Sequence, residues 1–215
     1  MRFTQVCTLA GAILAASGAM AQDRGQAGDF DYYVMSLSWS PNWCAITGDA
    51  RGDAQCDDGT GLNFVLHGLW PQYEKGWPQN CATEERDPSR RDSQAMADMM
   101  GSGGLAWYQW QKHGRCSGLS AQGYYATARD AYGRVAIPRV FRKLDRNLRL
   151  PAAVVEQAFL EANPEMTPDM VTVTCDNGFI QEVRVCLDKT LTPRPCAPDS
   201  RRDCTLDRAR MDRVR

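Results

Sequence analysis

FVLHGLWPQY, residues 64–73, is the part of the sequence that most constrains the fold. Its apolar start predicts a short buried strand over residues 64–67 that delivers His67 to a surface. The chain has only one other histidine, His113, which lies in WYQWQKHGRC, residues 107–116. Both histidines precede a glycine and both lie among aromatic residues. These shared contexts favour one joint chemical role over two isolated structural histidines.

The second stretch predicts a short helix over residues 105–113, ended by Gly114 at a left-handed cap position. In such a helix Gln109, Lys112 and His113 are spaced i, i+3 and i+4 and project from one face. One imidazole can take a proton near neutral pH while a second gives one, and a nearby ammonium stabilises negative charge. With His67 approaching from the other side, these groups predict metal-independent transesterification of RNA.

The flanking sequence predicts strands at both ends of the chain. Residues 31–39 alternate, and the larger side chains Tyr33, Met35, Leu37 and Trp39 fall on one side. Two further strands, residues 170–175 and 179–187, are joined by a turn at Asp176-Asn-Gly178. Residues 45–61 are rich in glycine and aspartate and predict a loop.

Helical periodicity lies between these strands. It predicts a helix over residues 92–100 with a buried methionine stripe, one from Ser120 through Tyr132, and one that starts at Pro151. Strands from both ends with helices between them indicate a single α+β domain. We expect a central antiparallel β-sheet packed by helices and stapled by disulfides.

The N-terminus has the pattern of a secretory signal. A basic start, an apolar run near Val6 to Gly18 and the cleavage pattern Ala19-Met-Ala21 predict a signal peptide over residues 1–21 and a catalytic domain over 22–215. No later apolar run is long enough to cross a membrane. We therefore expect a periplasmic or extracellular protein, and the lack of an N-x-Ser/Thr sequon after residue 21 favours a bacterial periplasm.

Eight of the nine cysteines follow residue 21, and an even number in an exported chain predicts disulfides. Spacing alone leaves 105 pairings open. A zinc site is a weak alternative, because the chain has no CxxC pair and few histidines. A calcium loop at Asp53–Gly59 fails because Phe64 stands where a bidentate Glu is needed. We expect no metal and no cofactor.

Charge and aromatic content restrict the partners. The formal net charge of −1 excludes a chain-wide basic field for duplex binding. Arginines alternate with aspartates after residue 200, which predicts a solvated, partly frayed tail. All six tryptophans lie within the first 110 residues. We expect at least four in the core and Trp70 to stack on an unpaired base.

FVLHGLWPQY resembles the first active-site motif of the ribonuclease T2 family, and WYQWQKHGRC resembles the second. The segments ending in Trp39-Ser-Pro-Asn-Trp-Cys44 and QEVRVC, residues 181–186, also fit, so that the resemblance runs from about residue 30 to 204. It implies an endoribonuclease that cuts single-stranded RNA through 2′,3′-cyclic phosphate ends, with little base preference and without a metal. A monomer with single-stranded RNA as its partner and no membrane is expected.

The resemblance also implies roles for individual residues. His67 would be the general acid and His113 the general base, Lys112 would stabilise the phosphorane, and Trp70 would line the base and phosphate site. It further implies the disulfides Cys44–Cys56, Cys81–Cys116, Cys175–Cys204 and Cys186–Cys196.

The second motif departs from the family pattern at two positions. The family has Glu where this chain has Gln109, and an auxiliary His where it has Tyr108, which we keep as a substrate-binding candidate. A glutamine can hydrogen-bond a phosphate or a ring nitrogen but carries no negative charge. Two alternatives follow: a catalytically weakened member that acts as an RNA-binding or toxin-like protein, and an unrelated secreted disulfide module.

Overall fold

The computed structural model describes residues 25–215; the expected signal peptide lies outside them. The strands are β1 Tyr32–Trp39, β2 Phe64–Gln72, β3 Leu148–Leu150, β4 Val171–Asp176, β5 Phe179–Leu187 and β6 Ala209–Met211. The α-helices are α1 Ser40–Trp43, α2 Asp49–Arg51, α3 Arg90–Gln94, α4 Ala97–Met100, α5 Gly103–Lys112, α6 Ala121–Arg134, α7 Arg139–Arg142 and α8 Ala152–Ala162.

These strands form one sheet. β1 pairs antiparallel with β2 on one side and with β5 on the other, and β5 also pairs antiparallel with β4. β6 pairs antiparallel with β3 and meets β5 in parallel at Phe179 and Arg210. The expected α+β domain with a central, mainly antiparallel sheet is confirmed.

The two faces of the sheet have different surroundings. The predicted alternation of β1 places Tyr33, Met35, Leu37 and Trp39 in the main core, beneath the helices. The opposite face carries Ser36 and Ser38 on β1, which pair with Arg184 and Glu182 of β5. This second face is the floor of the cleft described below.

A β-bulge in β2 determines which face His67 reaches. Leu66 pairs with Leu37 and Gly68 pairs with Ser36, so His67 is the extra residue between two regular pairs. Leu66 and Leu69 are both in the core, while His67 and Trp70 both line the cleft. In a regular strand, residues three apart point to opposite faces; a bulge shifts this alternation by one residue. It therefore brings His67 and Trp70 to the same face.

The observed helices match the predicted ones more closely in position than in length. Ser120 caps α6 by accepting a hydrogen bond from the Gly123 amide at 3.1 Å, as predicted. The helix expected over residues 92–100 is instead two short helices, α3 and α4, and the methionine stripe is buried as predicted. The loop expected over residues 45–61 contains a π-helical turn at Cys44–Gly48, helix α2 and a 3-10 turn at Ala54–Cys56.

Gly114 has a different role from the one predicted. Its φ is not positive; it starts a 3-10 turn, Gly114–Ser117, and Gly118 is the left-handed residue at the end of that turn. A Cβ atom at Gly114 would lie 2.6 Å from the Trp110 ring and 2.8 Å from the Tyr124 ring. Close packing rather than backbone conformation therefore requires glycine after His113.

Residues 209–215 are packed, which contradicts the frayed end expected from the charges, whereas residues 201–208 are largely exposed as predicted. Ala209 and Met211 are fully buried in β6. Arg215 donates two hydrogen bonds of 2.6 Å to Asp49 and a further one to the Cys56 carbonyl. Arg210 and Arg215 thus form specific ion pairs with Asp212 and Asp49, and sequence alternation alone could not distinguish these from solvated charges.

Four disulfides link the described residues, with the pairing that the family resemblance implies: Cys44–Cys56, Cys81–Cys116, Cys175–Cys204 and Cys186–Cys196. Cys81–Cys116 joins the loop after β2 to the turn after His113, close to where the Asn80 amide donates to the Lys112 carbonyl at 2.8 Å. Within residues 25–215 no helix combines the length and hydrophobicity needed to cross a membrane.

Candidate active site

The structure brings both histidines to one cleft, on either side of Trp70. The ring centroids of His67 and Trp70 are 5.2 Å apart, and those of Trp70 and His113 are 5.3 Å apart. β2 supplies His67 and Trp70, and the C-terminal end of α5 supplies the residues facing them. The cleft measures about 450 Å³ and is lined by all six predicted site residues: His67, Trp70, Tyr108, Gln109, Lys112 and His113.

His67 is held by a buried carboxylate. Its Nδ1 lies 2.5 Å from Oε1 of Glu182, a residue that is only 2% exposed. Burial by itself raises the pKa of Glu182, but the hydrogen bond and charge of His67 and the charge of Arg184 outweigh it and lower this pKa to about 2. Because an ionised carboxylate can only accept hydrogen bonds, Nδ1 carries the hydrogen. This leaves Nε2 as the ring nitrogen available for chemistry.

Arg184 links this carboxylate to the cleft. Its guanidinium donates to Oε2 of Glu182 from Nε at 2.9 Å and from Nη2 at 2.7 Å. The same guanidinium lies 5.3 Å from the centre of the Trp70 ring. Each carboxylate oxygen therefore has its own cationic or imidazole partner, and the arginine also fixes the ring that separates the two histidines.

His113 has the opposite surroundings. It follows α5 directly, it is 7% exposed, and its Nδ1 has no hydrogen-bond partner among the described residues. Burial lowers the pKa of His113 to about 3, and the positive charges of Lys112 and His67 act in the same direction. His113 is thus neutral over most of the pH range and can accept a proton, whereas His67 faces a carboxylate that offsets a positive ring.

Gln109 contacts tryptophan rather than histidine in this structure. It is 2% exposed and its Oε1 accepts a hydrogen bond of 2.8 Å from Nε1 of Trp70. A Cβ atom at Gly68 would overlap both of these groups. The glycine after His67 therefore allows α5 to pack closely on β2, and the Gln109 side chain holds Trp70 between the two imidazoles.

Lys112 and Tyr108 occupy the mouth of the cleft. The Lys112 ammonium lies 5.8 Å from the centre of the Tyr108 ring, which is 51% exposed. Trp77 is also exposed and lines the cleft. The expectation that at least four tryptophans are core residues is wrong, because only Trp39 and Trp110 are fully buried. Trp43 ends the short helix α1, Trp77 lies in the loop after β2, and Trp107 is on the exposed face of α5.

Two residues of this site, Glu182 and Arg184, were not singled out by the sequence. In QEVRVC they alternate with Val183 and Val185, which are fully buried. In an antiparallel sheet, this alternation indicates that one face of the strand packs on the core and the other face is open to solvent or a cleft. This alternation was the available signal that the face borders a functional cleft.

One group of potential metal ligands occurs among the described residues: Cys44, Asp49 and Cys56. The two cysteines form a disulfide with each other, and Asp49 is paired with Arg215. All three groups therefore have other partners.

Comparisons with known proteins agree on a single family. Residues 30–196 match a family model described as Ribonuclease T2 family. A ribonuclease of Aeromonas hydrophila is 45% identical over 127 residues, which cover 59% of this chain and 56% of that protein. The chain spans about half the length of the curated relatives it matches.

Solved structures share the fold. Trichomaglin, described as a novel S-like ribonuclease, aligns with a TM-score of 0.66 at 18% identity and covers 87% of this chain and 100% of its own. RNase NT, solved in complex with 5′-AMP, aligns with a TM-score of 0.57 at 22% identity and covers 84% of this chain and 97% of its own.

Proposed function

Because the chain belongs to the ribonuclease T2 family, we propose that it is an exported endoribonuclease that cleaves single-stranded RNA without a metal, as a monomer. The observation that carries this proposal is the pair of imidazoles flanking Trp70 in unlike electrostatic surroundings. When their surroundings favour opposite protonation states, one member of such a pair can act as the acid and the other as the base. Export to the periplasm or medium rests on the N-terminal signal pattern and is supported by the four disulfides.

His113 is the general base. It takes the proton of the ribose 2′-hydroxyl, and O2′ attacks the adjacent phosphorus. The pKa of about 3 keeps its ring neutral and ready to accept that proton. The charge of Lys112, the neighbouring residue, stabilises the negative oxygens of the phosphorane.

His67 is the general acid. In this step the His67 ring is protonated on both nitrogens. As the bond between phosphorus and O5′ breaks, its Nε2 donates a proton to O5′, which leaves as a 5′-hydroxyl, and the ring becomes neutral. The products are a 2′,3′-cyclic phosphate and the leaving strand. Glu182 holds the ring through Nδ1 so that the proton is delivered from the other nitrogen, as a carboxylate does for histidine in other hydrolases. Trp70 and the exposed Tyr108 supply apolar faces for unpaired bases.

Analysis of the ends of cleaved RNA tests this mechanism. A labelled single-stranded oligonucleotide is incubated with the protein in EDTA, and the fragments are analysed by mass. We expect 2′,3′-cyclic phosphate and 5′-hydroxyl ends, and no cleavage of the same oligonucleotide made as DNA, because it lacks the attacking hydroxyl. Ends bearing a 5′-phosphate, or activity that requires a divalent ion, would contradict the mechanism.

The uncharged side chain of Gln109 supports a second candidate function, that of a catalytically weakened RNA-binding protein. The same incubation separates the two. Retention of the RNA on a native gel without any fragment supports the binder, whereas fragments support the enzyme.

Replacing Gln109 by glutamate is expected to move the acid limb of the kcat/KM profile to higher pH. A carboxylate one helical turn before His113 favours the protonated ring and opposes the effect of burial, so the pKa of the base rises above its value of about 3. Initial rates between pH 3 and 8 measure the shift. The acid limb reports the base of the free enzyme, and the added carboxylate still accepts the Trp70 hydrogen bond.

Gln111→Glu is the matched control. It adds the same charge to the same helix two residues away, where it does not line the cleft. We expect a smaller shift in this variant and none when Gln109→Glu is combined with His113→Ala. An equal shift in both glutamate variants would mean that only the net charge of the helix matters.

A further inference from the structure

A second groove extends from the far side of His67. It measures about 540 Å³ and shares His67 and Tyr108 with the first cleft. Its other lining residues include Ser38, Trp43, Arg51, Asp53, Gln55 and Leu105. Neither Lys112 nor His113 lines it. The two cavities are therefore continuous around His67 but differ in which catalytic groups they contain.

The proposed function, on which this inference rests, determines which end of the RNA strand lies in each cavity. The base His113 acts on the 2′-hydroxyl of the upstream nucleoside, which belongs in the first cleft. The acid His67 acts on O5′ of the leaving nucleoside, which belongs in the second groove. The half-buried Trp43 offers a ring there. A strand that continues past the leaving nucleoside then carries its next phosphate along this groove.

Arg51 is the free cation of the groove. It is exposed, and its side chain makes no hydrogen bond or ion pair with residues 25–215. Its backbone, in contrast, is fixed. The disulfide Cys44–Cys56 closes the loop that bears it, the side-chain amide of Gln55 donates to the Ser40 hydroxyl at 2.9 Å, and Arg215 donates to the carbonyl of Cys56. A pinned loop with an unpaired guanidinium is suited to bind a phosphate with little loss of backbone freedom.

The acidic side chains of this loop do not neutralise Arg51. Asp49 is neutralised by its two hydrogen bonds from Arg215. Asp53 lines the groove, where its carboxylate accepts a hydrogen bond of 3.0 Å from the backbone amide of Gln55. Asp57 and Asp58 are exposed and do not line it. Among residues 25–215, Asp53 is thus the one carboxylate that shares the groove with Arg51 and opposes the binding of an anion.

We propose that Arg51 binds the phosphate on the 3′ side of the leaving nucleotide. The subsite takes a phosphodiester or a terminal phosphate monoester, and it makes the protein act faster on RNA strands than on dinucleoside monophosphates. Asp53 limits this preference by its negative charge.

The test compares two substrates that differ only in this phosphate: adenylyl-adenosine, ApA, and its 3′-phosphorylated form, ApAp. The readout is the ratio of kcat/KM for ApAp to that for ApA at low salt. Arg51→Gln is expected to lower this ratio about twofold to fivefold, as for an exposed ion pair. Asp53→Asn keeps the acceptor for the Gln55 amide, removes the charge, and is expected to raise the ratio.

Arg139→Gln is the matched control, because Arg139 is exposed and lines neither cavity. It should keep the wild-type ratio. Calorimetric binding of the 2′-deoxy forms of both compounds repeats the comparison without cleavage, so that a failure of the catalytic proposal and a failure of this subsite are told apart. An unchanged ratio and unchanged binding in Arg51→Gln would overturn the inference.

Discussion

His67→Ala and His113→Ala are each expected to lower kcat by about 10²–10⁴-fold, the usual contribution of a general acid or base. His113 is neutral because its ring is buried, and His67 faces the ionised Glu182, so neither can substitute for the other. The double variant should lose much less than the product of the two single losses, because residues that act as a unit are not additive. Steady-state cleavage of a single-stranded oligonucleotide measures all three.

A substrate with a better leaving group separates the two roles. In a nucleoside 3′-(4-nitrophenyl phosphate), the departing phenolate needs no proton. His67→Ala should therefore recover much of its activity on this compound, whereas His113→Ala should not, because O2′ must still be deprotonated. Equal losses for both variants on both substrates would contradict the assignment of acid and base, and thermal unfolding checks that each variant is folded.

The sequence predicted which residues line the cleft better than how they are arranged. The alternation of β1 and the helix that carries Gln109 and Lys112 follow from local periodicity, although His113 lies just past the end of that helix. The bulge at His67 could not be predicted, because strict alternation places His67 and Trp70 on opposite faces. The partnership of His67 with Glu182 spans 115 residues and depends on the pairing of β1 with both β2 and β5.

The same limit explains the errors at the C-terminus and at Gly114. Arg215 and Asp49 are 166 residues apart, and nothing in either neighbourhood of the sequence marks them as partners. Gly114 packs against the rings of Trp110 on α5 and Tyr124 on α6, and a histidine-glycine pair in the sequence does not indicate which rings will lie against it. Local patterns report local structure, whereas these features arise only from tertiary contacts.

Glu182→Gln is expected to lower kcat about 10- to 100-fold, by analogy with carboxylates that orient metal-ligating histidines. The amide preserves the shape of the side chain but removes the charge that offsets a protonated His67 ring. If Glu182 acts through His67, the loss should shrink on the 4-nitrophenyl substrate, which needs no acid. A merely structural role predicts the same loss on both substrates. Glu156→Gln, on α8, is the control for removing a partly buried carboxylate elsewhere.

The same variant should change how stability depends on pH. The pKa of Glu182 falls from 4.5 to about 2 on folding, so the folded state prefers the ionised group. This preference stabilises the protein fully above pH 4.5 and is lost as the pH falls towards 2. Glu182→Gln should therefore lower the free energy of unfolding at pH 7, and the difference from wild type should narrow between pH 4.5 and 2. Urea unfolding at pH 7, 4 and 3 measures it, and a difference that stays constant over this range would mean that the buried carboxylate gains nothing from His67 and Arg184.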